Sequence, residues 1–286
     1  MLDFDQEWTI AHLERVLPSA SEGANQWYAA WHGYVHYEEP WPFVLPTLTG
    51  AYSNAIARIG MLRRSGGSND RPDERLTEHL IGLYWKGAID LNAPGNLIEK
   101  FFTRTDGGLR AHAIRFVGRA LIQTPADKLN SRVVARLVLL WEWRWATLRT
   151  QNAASAEIAD ELVAFGAWFA SRAFEPEWAA QHLREALAMA GRTEPARQVI
   201  GYLAELAPGM PLLAAECLRN IDPTKGEFWR IAVWGEAARS ALQAILASDD
   251  RSARRMAESI IGRWVARGHT EFLSLLMADR GAGGSE

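Results

Sequence analysis

The chain has 286 residues, 34 acidic against 31 Lys and Arg side chains, a net charge of −3 and a single cysteine, Cys217. One cysteine excludes an internal disulfide framework and a Cys-rich zinc site. The slight acidity argues against a protein-wide grip on nucleic acid, and no unbroken run of about 18 apolar residues is present to span a membrane.

The chain opens on Asp3, Asp5 and Glu7, the wrong charge for a signal peptide, so the expected location is the cytoplasm. Residues 1–64 read as an N-terminal helical lobe rich in aromatics: Trp27, Tyr28, Trp31, Tyr34, Tyr37 and Trp41. At 100° per residue these side chains cannot all turn inward. The surplus, Trp31, Tyr34, Tyr37 and Trp41, is expected to anchor a protein partner or a second copy of the chain, with Trp41 held between Pro40 and Pro42. His32 and His36 share a helical face, with Glu39 one turn on, and two imidazoles with a carboxylate suit zinc. Gly33 stands where a zincin would carry its Glu, and no further ligands follow, so no metal and no cofactor is expected.

Ser65 to Glu74, SGGSNDRPDE, reads as an exposed loop that closes the lobe. From 75 to 280 helix signals recur. Val133 to Leu148 forms a dense apolar helix, ending in Trp141-Glu142-Trp143-Arg144-Trp145. It reads as core, with an aromatic groove for a peptide or a base as the other possibility. Further apolar residues keep helical spacing at Ile158 to Phe169, Trp178 to Leu187 and Phe228 to Leu246. Prolines at Thr124-Pro125, Glu175-Pro176, Glu194-Pro195 and Asp222-Pro223 suit first helical turns. Asp249 and Asp250 suit the start of a helix running to Arg267, and Gly191, Gly209 and Gly268 suit stops. Residues 281–286 read as a frayed tail.

Alternating β-branched runs are nearly absent, so the expected class is all-α. The cadence of short helices suggests a degenerate HEAT-like or tetratricopeptide-like solenoid, and a compact irregular helical domain is the alternative.

The standard phosphate-cradling loop, dinucleotide fingerprint, nucleophile elbow and zincin motif are all missing. On α-helical spacing, Arg251, Arg254 and Arg255 make a candidate anion-binding group, diluted by Asp249, Asp250 and Glu258. Arg263 and Arg267 sit where they complement the helix C-terminus.

Several phrases occur together and in order: Phe4-Asp5-Gln6-Glu7-Trp8-Thr9, Ala30-Trp31-His32-Gly33-Tyr34, Leu83-Tyr84-Trp85-Lys86-Gly87, Arg110 to Arg119, and Arg263-Trp264-Val265-Ala266-Arg267-Gly268-His269. In these the chain resembles the C-terminal helical region of large bacterial anti-phage defence proteins, whose N-terminal parts are Sir2-like NAD-consuming domains or NTPases. The resemblance implies a helical sensor or scaffold: a split-off subunit, a fragment or a stand-alone relative. No catalytic residue carries over, because no matching motif is present. The expectation is a non-enzymatic scaffold or sensor that binds a protein. The competing expectations are an enzyme whose site forms only in three dimensions, around His32 and His36, and a nucleic-acid-binding helical repeat using the Arg251 to Arg267 helix.

Overall fold

The computed structural model describes residues 6–17, 24–37, 39–61, 71–91, 95–125, 128–150, 156–225 and 231–282. Among them every regular element is a helix and no strand occurs, so the protein is all-α. In chain order the helices are α1 (Gln6–Val16), α2 (Ala24–Tyr37), α3 (Leu45–Ala57), α4 (Pro72–Trp85), α5 (Leu97–Arg104), α6 (Gly107–Gln123), α7 (Ser131–Leu148) and α8 (Ala156–Ala164). There follow α9 (Gly166–Ala170), α10 (Pro176–Ala190), α11 (Ala196–Leu206), α12 (Pro211–Asn220), α13 (Ile231–Leu246), α14 (Arg251–Val265) and α15 (Leu273–Ala282). Single 3-10 turns stand at Pro42–Val44 and Thr270–Phe272.

Local chemistry sets many of the boundaries. The Glu175 carboxylate accepts the N–H groups of Glu177 and Trp178 at 3.0 and 2.7 Å, and Pro176 takes the first helical position of α10. Gly191 ends that helix at φ 72, where a glycine costs nothing. Asp250 caps α14 through Ser252 and Ala253 N–H at 2.8 and 3.0 Å.

Three expected proline starts differ. Pro195 is the N-cap of α11 and precedes its first turn. Pro125 and Pro223 open no described helix, since the fixed φ of proline serves a turn as well as a first helical residue. Asn130 supplies the start of α7 instead, accepting Arg132 N–H at 2.8 Å. Phe228 lies outside the described residues.

Of the expected loop, 65–70 lie outside the described residues, and Pro72, Asp73 and Glu74 form the first turn of α4. Proline at the first position and two acids beside the positive helix end favour that start. Gly281 and Ala282 finish α15 and do not belong to a tail; 283–286 lie outside the described residues.

The chain divides into two compact units, Met1–Ala113 with Asn130–Arg144, and Ile114–Leu129 with Trp145–Glu286. The division passes through α6 and α7 and not through 65–74. Lobes 1–64 and 75–280 do not separate, because α4 packs on α2 and α5 on α3 within the first unit. There, Trp27, Trp31 and Val35 recur at i, i+4 and i+8 and form the buried seam of α2.

In the second unit α8, α10, α12 and α14 pack in succession, as do α9, α11, α13 and α15. Each helix rests on the one two along, which is the packing of stacked helical hairpins. The apolar spacing from Ile158 to Phe169 breaks at Phe165. A Cβ on Gly166 would overlap Thr193 Oγ1 and lie 2.5 Å from Glu194 O, so only glycine lets the chain pass there.

Candidate partner-binding site

The four expected aromatic anchors do not form one surface. Trp31 is 2% exposed: it stacks on Trp27 at 5.7 Å and meets the Tyr52 ring edge-on at 5.0 Å. It belongs to the core, a correction that follows from its place on the α2 seam facing α4. Tyr34 is half-buried, its hydroxyl 3.4 Å from that of Tyr52. The Tyr52 hydroxyl lies 3.1 Å from His79 Nδ1, and burial with the neighbouring Tyr34 pushes the Tyr52 phenol well above its ordinary range. Trp41 is half-buried beside Phe43, with Lys86 Nζ 5.6 Å from its ring centre. Only Tyr37, at the end of α2, stands fully displayed, at 83% exposure.

His32 and His36 stack at 6.1 Å, but Glu39 reaches Lys86 at 3.7 Å. Among the described residues no group of three or more His, Cys, Asp or Glu side chains gathers as a metal cage. Of the expected anion-binding group, Arg251 and Arg255 are exposed and Arg254 is half-buried. Their end of α14 already has its N–H groups met by Asp250, and Arg255 Nε donates to Arg251 O at 3.3 Å.

Trp141, Arg144 and Trp145 are buried, as a core helix requires, and Arg144 lies over the Phe102 ring at 5.4 Å. The same helix carries another face. Arg136, Leu139, Glu142 and Trp143 line one side of an open cleft of about 540 Å³, with Tyr84, Asp90 and Leu91 on the other. All seven belong to the first unit.

Arg136 organises the floor of the cleft. Its Nε donates to Tyr84 O at 3.0 Å, its Nη1 to Asp90 Oδ1 at 2.5 Å and its Nη2 to Ile89 O at 2.5 Å. The guanidinium lies 4.5 Å over the Tyr84 ring, whose hydroxyl donates back to Arg136 O at 2.6 Å. These bonds tie the end of α4 to α7. Burial pushes the Tyr84 phenol up to about 12, with Arg136 pulling down and Asp90 pushing up. The phenol is therefore a hydrogen-bond donor at neutral pH and not a base.

Above this floor the lining turns apolar. Leu139 is 60% exposed, and Trp143 is half-buried with its ring edge-on to Phe102 at 5.6 Å. The cleft offers an apolar shelf beside one guanidinium and two carboxylates. Its signal in the sequence is the spacing of Arg136, Leu139 and Trp143 at i, i+3 and i+7, hidden among the buried residues of the same helix.

No known protein family, curated protein or solved structure matches the chain.

Proposed function

We propose that this protein is a helical partner-binding module, and that the cleft between Tyr84, Asp90 and α7 takes an apolar side chain of a partner protein. The observation that carries the reading is Leu139: a large apolar residue 60% exposed in the middle of a helix, on the wall of a cleft of about 540 Å³. The polar floor beneath it is already bonded to itself, so a partner meets an ordered shelf and displaces little.

The lining sets the carboxylates of Asp90 and Glu142 beside the Arg136 guanidinium. The partner segment that fits carries a large apolar residue with a Lys or Arg beside it. A scaffold or sensor role in bacterial defence belongs to the same proposal and is supported by the sequence resemblance alone.

Peptide display against the full chain tests the docking. Selected peptides should pair an apolar anchor with a basic neighbour, and Leu139→Asp should abolish their binding while the unfolding midpoint stays put. Peptides that bind the L139D variant as well as the natural chain, or no selected peptides at all, would sink this reading.

A further inference from the structure

The two ends of α14 differ in what surrounds their arginines. At the C-terminal end, Arg263 lies within electrostatic reach of Arg267 and of Arg219, in the last turn of α12, and Arg267 shares Asp222 with Lys225, in the turn that follows α12. Arg263 Nη2 donates to Arg219 O at 2.6 Å. Arg267 Nη1 lies 3.3 Å from Asp222 Oδ1. That same oxygen accepts from Thr224 N–H at 3.0 Å and from the Thr224 hydroxyl at 2.8 Å. The turn is fastened to the end of α10 by Asp222 N–H donating to Gly191 O at 2.8 Å. Lys225 Nζ reaches back over the end of α10, 3.4 Å from where a Cβ on Gly191 would stand.

Capping of helix ends explains one of these contacts. Arg263 satisfies a carbonyl at the end of α12, as basic side chains commonly do. It does not explain why three further charges gather there. Among these five groups the one carboxylate, Asp222, stands against four cations, an excess of three positive charges.

The titration behaviour agrees with crowding. Burial first, then Arg267 and Arg219, lower the Arg263 guanidinium below its usual range against the pull of Asp222. Burial pushes Asp222 upward, but Thr224, Arg267 and Lys225 outweigh it and hold the carboxyl below its ordinary value. Arg263 Nε is buried and faces no acceptor among the described residues, while Arg219, Lys225 and Arg267 are exposed.

We propose that Arg219, Lys225, Arg263 and Arg267 form a binding site for a phosphate group. The charge arithmetic selects the ligand. A carboxylate would remove one of three excess charges, whereas a phosphate monoester carries between about −1.5 and −2 at neutral pH and brings acceptor oxygens that match guanidinium forks. The footprint selects a single group over a polyanion. Arg251 lies about 18 Å up the helix from Arg263, at 1.5 Å per residue, and Asp249, Asp250 and Glu258 interrupt the charge between and beyond. Phosphate and Asp222 compete for Arg267, so the site is held half-closed by its own carboxylate.

Calorimetric titration of the full chain with inorganic phosphate, and separately with phosphoserine, at fixed ionic strength tests the assignment. Saturable one-to-one binding is expected, and which of the two binds tighter tells free phosphate from an ester. The double variant Lys225→Gln with Arg267→Gln should weaken binding about ten-fold or more, with an unchanged circular dichroism spectrum. Asp222→Asn keeps the oxygen that Thr224 needs but removes the competing charge, and should tighten binding several-fold. Arg251→Gln with Arg254→Gln should change nothing. The proposal is overturned by the absence of saturation at millimolar phosphate, by equal binding in the K225Q/R267Q variant, or by a D222N variant that binds no tighter. A glutamate-rich peptide binding tighter than either phosphate, or an oligonucleotide whose binding falls equally in the R251Q/R254Q variant, also overturns it.

Discussion

Trp31 and Leu139 are both large apolar residues inside long helices, yet one is 2% exposed and the other 60%. The difference lies in what faces each helix. Trp31 sits on the α2 seam with Trp27 and Val35, and that seam meets α4 and the ring of Tyr52. Leu139 sits on the face of α7 that lines the cleft, with Tyr84 and Asp90 on the other side and Arg136 on the floor. Helical periodicity names the residues that share a face, and it takes the partner helices to decide which face is covered.

The sharpest way to break the contrast is to truncate both residues. Trp31→Ala should cost about 3–5 kcal/mol, the range for a large buried aromatic. Urea unfolding followed by circular dichroism reads this directly. A loss under about 1 kcal/mol would mean that Trp31 is not held in the core, and would return it to the surface role expected from its neighbours in sequence.

The smaller effect comes from Tyr84, which ties the end of α4 to α7 across the floor of the cleft. Tyr84→Phe removes the hydroxyl that donates to Arg136 O, a change of about 1 kcal/mol. The pH dependence follows from the raised phenol. An unfolded tyrosine ionises near 10, while Tyr84 in the fold holds its proton to about 12. The unfolded state therefore gives up its proton first. The stability that Tyr84 supplies is complete below about pH 10 and is lost as the pH rises toward 12. Ultraviolet titration of the phenolates should show one late-ionising tyrosine fewer in Y84F than in the natural chain. Parallel titration of both chains would remove Arg136 and the cleft floor from the account.

Much of the helical plan was legible because it rests on local chemistry. Glu175-Pro176 and Asp250 mark helix starts by supplying an acceptor or a fixed φ within a few residues of the N–H groups concerned, and Gly191 marks a stop through its own backbone. Pro125 and Pro223 misled because the same fixed φ suits a turn. The sites were less legible because they are long-range. Tyr84 and Arg136 stand 52 residues apart, and Arg219 and Arg263 stand 44 apart. The expected anion-binding group, Arg251, Arg254 and Arg255, is the densest basic run in sequence, and the residues proposed to hold phosphate lie at the other end of the helix, where α12 and the turn after it supply two of the four. The unit boundary was hidden for a related reason: it runs inside α6 and α7, where continuous helical periodicity leaves no mark.

The finest test of the contrast compares the two displayed residues with each other. Tyr37 is 83% exposed and Leu139 is 60% exposed, so truncation of either to alanine should shift stability by no more than about 0.5 kcal/mol. Alanine is also the better helix former in both places, which offsets the little packing that is lost. Their difference should appear only on binding. Tyr37 ends its helix and lines no described cleft, and the ring beside its own is that of His36. Leu139 shares its cleft with Trp143 and an ordered polar floor. Peptides selected on the natural chain should therefore bind Y37A unchanged and lose affinity on L139A, less severely than on L139D, because alanine removes the apolar contact without placing a charge against the incoming residue. Equal loss in both variants would point to one continuous surface reaching from α2 to α7, and the cleft would then be only its edge.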